Sequence, residues 1–195
     1  MAGEYLTSRE MKIAGWLAMA SAFLTLPLVY LSFRFEGMHD SYADVIQTFI
    51  QASGTLLFLA IILYLKKLLN SVFNFRDTDR SIDLMVMASI VTGVLSIGAF
   101  SFPALKESLQ SAVIVILVAL GIVQVQFGYR LLKLPHELGG LHKPFCYANM
   151  ATGIFLASVV LMPLSIIVSA LSDLMLGTLF FNMSRSFQKE SHAPY

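Results

Sequence analysis

The stretch from Pro144 to Ser184 reads PFCYANMATGIFLASVVLMPLSIIVSALSDLMLGTLFFNMS, 41 residues with one charge, Asp173. As a single α-helix it would be about 60 Å long, twice the roughly 30 Å hydrocarbon core of a bilayer. It is therefore either one membrane span with a long appendage or two spans joined by a tight turn. The choice sets the side on which the C-terminus emerges and the depth of Asp173.

The rest of the chain places this stretch in context. Of 195 residues, 57% are hydrophobic and 13% charged, whereas a soluble domain is nearer a quarter charged. Long apolar runs with so few charges indicate an integral membrane protein whose direct partner is the lipid bilayer. A net charge of +1 offers no basic surface to nucleic acid. The single cysteine, Cys146, rules out an internal disulfide. Residues Ala18 to Ala22 (AMASA) faintly resemble a signal-peptide cleavage site. The uncharged run continues to Phe33, however, so the first segment is expected to be a retained signal-anchor.

Hydropathy predicts an all-α, polytopic transmembrane helix bundle, a single domain over residues 1–195. It has six spans, with five as the alternative, over about residues 13–33, 45–65, 84–104, 108–129, 145–163 and 168–184. Residues 66–83 form its main loop. Asp83 or Ser81 is positioned to cap the third span, and Pro103 marks its end. Pro163-Leu164-Ser165 is expected to begin the turn between the fifth and sixth.

Topology follows from Lys and Arg placement. The N-terminal tail and the 2–3 and 4–5 connections carry nine: Arg9, Lys12, Lys66, Lys67, Arg76, Arg80, Arg130, Lys133 and Lys143. The 1–2 and 3–4 connections carry two, Arg34 and Lys106. The basic side is expected to be cytoplasmic, in a plasma (inner) membrane. Arg185 and Lys189 join it only if the number of spans is even. Echoes between segments agree. Met19-Ala20-Ser21, Met87-Ala88-Ser89 and Met150-Ala151-Thr152 recur at intervals of 68 and 63 residues, as three helix-hairpin repeats would require; internal repeats are common in transport folds.

The uncharged spans hold few groups with chemistry. A carboxylate in a bilayer is costly and usually has a reason. With six spans, Ser172 is expected to cap the last helix. Asp173 then sits in its first turn at the outer border, where the helix dipole favours it. A shifted helix would instead bury it as a proton or cation site. Gln47 and Gln51 are four apart and share a helix face. With Gln124 and Asn149 they either bond across helices or line a polar cavity. Gln47, Gln51, Gln124, Asn149 and Asp173 thus form the candidate intramembrane site. Small residues at Ala14, Ala18, Ala22, Ser89, Gly93, Gly153 and Ala157 are expected to line helix seams. In the most charge-dense connection, Phe73, Phe75, Arg76, Asp77, Asp79 and Arg80 form a candidate docking surface for a partner.

Enzymatic chemistry has no visible support. There is no glycine-rich phosphate loop, no supported Ser–His–Asp order and no paired carboxylates. The four histidines, His39, His136, His142 and His192, lie in connections or the tail, not inside spans where haem is held. His136, Glu137, His142 and Cys146 match no zinc spacing, and Gly139-Gly140 reads as a turn. No cofactor or metal is expected. The functional expectation is a non-enzymatic multi-pass protein that binds or passes a small solute or lipid through an intramembrane cavity. The alternative is an accessory or scaffold subunit that docks a membrane-protein partner, or a second copy of itself, through residues 70–83.

Overall fold

The structure, a computed structural model, describes residues 7–35, 41–134 and 140–191. Its elements are α1 (Ser8–Phe35), α2 (Ser41–Val72), α3 (Asp79–Ser101), a 3-10 turn (Pro103–Leu105), α4 (Lys106–Leu131), α5 (His142–Ala157) and α6 (Met162–Ser191). All but α5 are long and apolar enough to cross a membrane. The 16 residues of α5 span about 24 Å, short of the hydrocarbon thickness.

Most helices overrun the apolar segments that announce them. Hydropathy marks where a helix leaves hydrocarbon, but backbone hydrogen bonding continues into the interface. Residues 66–72 thus extend α2 and residues 79–83 open α3, so the expected 66–83 loop shrinks to 73–78. Ser81 and Asp83 lie inside α3 and do not cap it. The N-cap position is Thr78, with no side-chain cap bond. Pro103 does end α3, with the Phe102 N–H closing on the Gly98 carbonyl.

The Pro144–Ser184 stretch forms a hairpin, but it turns earlier than expected. The connection is Ser158 to Leu161, and Pro163 lies in the first turn of α6, where its missing N–H has no intrahelical role. Val159 adopts φ 56°, a costly conformation for a β-branched residue. The Ser158 hydroxyl closes the turn by accepting the Leu161 N–H at 3.1 Å. Proline looked like the turn because it breaks helices; here it starts one.

Each helix packs on its chain neighbours, and α6 returns to pack on α1, closing a ring of six in which, among the described residues, no two helices approach backbone to backbone across the ring. Ser8 and Ser184 hydroxyls meet at 2.8 Å, so the ring's start and finish share one end. That end also holds most of the Lys and Arg and is called the basic end below. The core lies toward it: Met11, Leu65, Leu68, Leu69, Ile82, Phe127, Leu131, Phe145, Leu179 and Phe180 are buried there. In contrast Phe23, Phe33, Phe49, Met87 and Val115 are exposed, as lipid-facing side chains are.

Glycine sets how closely the helices approach. A Cβ on Gly153 would stand 2.5 Å from the Gly121 carbonyl oxygen, and one on Gly121 2.6 Å from that of Gly153, so α4 and α5 meet backbone to backbone. At the α6–α1 seam a Cβ on Gly177 would reach the Gly15 carbonyl oxygen at 3.1 Å. Phe181 fills the space over Gly15 and stacks edge-on with Trp16, ring centres 5.4 Å apart. Ala14, Ala18 and Ala22 are buried on α1 and Gly93 abuts Thr55, so these small-residue stripes serve seams within the chain.

Candidate functional site

Polar groups between the helices fall into two sets. The first is a belt running across α1, α6, α5 and α4. Ser21 Oγ donates to Asp173 Oδ2 at 2.7 Å. Ser172, the preceding residue on α6, is turned about 100° away and accepts from Asn149 Nδ2 at 2.9 Å. The same Asn149 nitrogen reaches the Phe145 carbonyl at 3.0 Å, and its Oδ1 accepts from Gln124 Nε2 at 3.4 Å. Adjacent residues on α6 therefore tie it to both flanking helices.

This belt corrects the expected role of Asp173. The residue lies about three turns into α6, so neither it nor Ser172 caps that helix. The earlier turn at Ser158–Leu161 moves it inward. Its carboxylate is half-buried on the α1–α6 seam, and no Lys or Arg pairs with it among the described residues.

The second set lines a cavity of about 350 Å³ on the other side of the ring, between α1, α2, α3 and α4. Polar lining comes from Thr25, Ser32, Gln51, Thr55, Ser89 and Thr92, and apolar lining from Leu28, Val29, Ile50, Phe58, Leu117 and Leu120. On α1 these residues come from the half farther from the basic end. Gly54 also lines the space, and a Cβ built on it would meet nothing within 4 Å. None of the lining residues is ionisable.

The five predicted site residues are thus divided. Gln51 lines the cavity; Gln124, Asn149 and Asp173 belong to the belt; Gln47 is half-buried on α2 and lines neither. Sequence reasoning missed Thr92, Thr25, Phe58, Leu117 and Leu120, residues ordinary in any span. It also missed Ser21 as the partner of Asp173. Gly121 and Gly128, seven apart on one helix face, were a legible seam signal.

The 73–78 connection folds onto the bundle. Asn74, in the left-handed region at φ 48°, ends α2, a conformation asparagine tolerates better than most residues. The Phe75 N–H then reaches the Leu69 carbonyl at 3.0 Å, and Phe75 enters the core. Phe73 is half-buried and packs against that core. Asp79 accepts from Asn70 Nδ2 at 2.8 Å, and Arg130 donates to the Asp77 carbonyl at 3.0 Å. Arg76, Asp77 and Arg80 keep exposed side chains. The two aromatics of the candidate docking surface therefore serve the fold, leaving a charged rim.

His142 is buried, its ring Nε2 3.0 Å from the Leu131 carbonyl, and links the end of α4 to the start of α5. Cys146 is buried, with its carbonyl against Gly128. His136, Glu137, Pro135 and Gly139, like His39 and His192, lie outside the described residues. Among the described residues no three His, Cys, Asp or Glu side chains gather to hold a metal. No family model, curated protein or solved structure matches this chain.

Proposed function

We propose that this multi-pass membrane protein is non-enzymatic and binds a small solute or lipid in the cavity between α1 and α4. The basic end and both termini face the cytoplasm of a plasma membrane in this reading, following the Lys and Arg balance. The α1 side of the cavity then lies in the outer half of the membrane. One observation carries the proposal: a ring packed tightly toward one end leaves a space of about 350 Å³ farther along, lined by uncharged polar and apolar side chains. That size lies at the lower end for small-molecule sites, which are typically apolar with a few convergent polar groups. The packed basic end favours binding over a continuous pore.

Gly54→Phe tests the reading, because its side chain would enter open space rather than displace a neighbour. The full chain is placed in phosphatidylcholine nanodiscs and its thermal midpoint followed with three probes of equal chain length: decan-1-ol, decanoate and decyltrimethylammonium. At least one is expected to raise the midpoint of the parent protein saturably, and none that of Gly54→Phe. No shift in the parent, or equal shifts in both proteins, would contradict the proposal.

A further inference from the structure

Among the described residues, Thr92 and Thr78 at the start of α3 have buried hydroxyls without a partner, and Thr92 is the one at the cavity. Thr25, Thr55, Thr152 and Thr178 each donate to the carbonyl four residues earlier, at 2.7 to 2.9 Å. That back-bond is the usual way a helical threonine satisfies its hydroxyl. Thr92 does not make it. Its residue is 8% exposed and lines the cavity, while its Oγ1 is itself buried with no hydrogen-bond partner, so a rotation about Cα–Cβ is what brings the hydroxyl to a ligand. A buried polar atom without a partner costs about 1–3 kcal/mol, so the site holds hydrogen-bonding capacity that the fold leaves unused.

Three further features narrow what would use it. The amide of Gln51, which both donates and accepts, lines the same cavity from the neighbouring helix. Ser89, one turn before Thr92 on α3, adds a hydroxyl, so the α3 lining is wholly polar, while α2 sets Gln51 and Thr55 beside Ile50 and Phe58. Apolar lining comes from Leu117 and Leu120 on α4 and from Leu28 and Val29 on α1, where Thr25 is already back-bonded to the Ser21 carbonyl. With no ionisable side chain in the lining, a charged head would lose its hydration without gaining a counter-charge. The half-buried carboxylate of Asp173 does not help, because it is committed to Ser21 on the α1–α6 seam.

We infer that the cavity takes an uncharged amphiphile, with a head that donates and accepts hydrogen bonds, such as an alcohol or amide, held by Thr92 and Gln51. Its apolar body lies against Leu28, Val29, Leu117 and Leu120. This inference rests on the cavity being a binding site and adds the ligand class.

The three-probe series separates the two claims. Decan-1-ol should raise the midpoint of the parent protein, while decanoate and decyltrimethylammonium should leave it unchanged. Thr92→Val, which removes the hydroxyl and keeps the shape, should weaken the apparent affinity for decan-1-ol by about three- to tenfold, the loss of one hydrogen bond. Equal binding of all three probes, abolished by Gly54→Phe, would keep the cavity as a site and overturn the uncharged-ligand inference. Unchanged decan-1-ol affinity in Thr92→Val would overturn the placement of the head. Should Thr92→Val fail to fold, the charge series on the parent protein decides alone. No binding of any probe would end both claims.

Discussion

Gly153 and Gly54 sit in opposite halves of one ring and have opposite surroundings. At Gly153 an added Cβ would strike the backbone of α4 at 2.5 Å, while at Gly54 it would touch nothing. On the first side, glycine seams and the belt from Ser21 through Asp173, Ser172 and Asn149 to Gln124 draw α1, α6, α5 and α4 together. On the second, α1 to α4 pack on their chain neighbours yet leave the cavity between them, where Thr92 keeps a hydroxyl unused. Close packing in a membrane protein rests on dispersion contacts and interhelical hydrogen bonds, not on expelling water. The half with the glycine seams and the hydrogen-bonded belt is the framework, and the half around the cavity is the one proposed to accept a ligand.

Breaking this contrast by substitution should give effects in a definite order. The largest is expected for Gly153→Leu, because backbone lies on the far side of the seam and neither helix can yield. The variant should yield no monodisperse folded protein by size-exclusion chromatography in detergent. A folded product would show that the α4–α5 approach is not required. A smaller, graded effect separates two side chains of the same helix. Phe127 is buried in the core and Leu117 is half-buried at the cavity. Phe127→Ala should lower stability by about 3–5 kcal/mol, and Leu117→Ala by no more than about 1 kcal/mol, since a side chain facing open space leaves no closed void. Denaturation of both variants in mixed micelles measures the difference; equal losses would remove the distinction between the two halves.

The helical bundle was legible because the bilayer imposes a simple rule: charge must leave the chain for about twenty residues at a time. Four such intervals each became one long helix, the fifth, from Pro144 to Ser172, folded into α5, a turn and the start of α6, and Pro103 ended α3 as expected. Depth within the last hairpin was harder to read. Its turn at Ser158–Leu161 uses Val159 in a left-handed conformation, which no turn-forming composition announces, and Pro163 drew attention to the wrong place. That shift alone carried Asp173 from a helix start to mid-helix. The candidate site was only partly readable for a different reason. Amides and carboxylates stand out in an apolar sequence, yet here Gln124, Asn149 and Asp173 are used to hold helices together. The cavity is defined by ordinary residues such as Thr92, Leu117 and Gly54, whose distinction lies in what their neighbours leave undone. The charged connection gives a similar lesson. Phe73 and Phe75 looked available to a partner, but a left-handed Asn74 turns the chain so that Phe75 enters the chain's own core.

In the proposed orientation, the cavity between α1 and α4 is reached from the end opposite the basic one. Cysteine accessibility measures this directly. In a Cys146→Ala background, Gly54→Cys and Leu68→Cys are exposed in intact cells to a small membrane-impermeant methanethiosulfonate. Gly54 lines the cavity, and Leu68 is 1% exposed in the core. Rapid modification of Gly54→Cys from outside, with Leu68→Cys unmodified until the protein is denatured, is the predicted result. Protection of Gly54→Cys equal to that of Leu68→Cys, or its modification only from the cytoplasmic side, would contradict it.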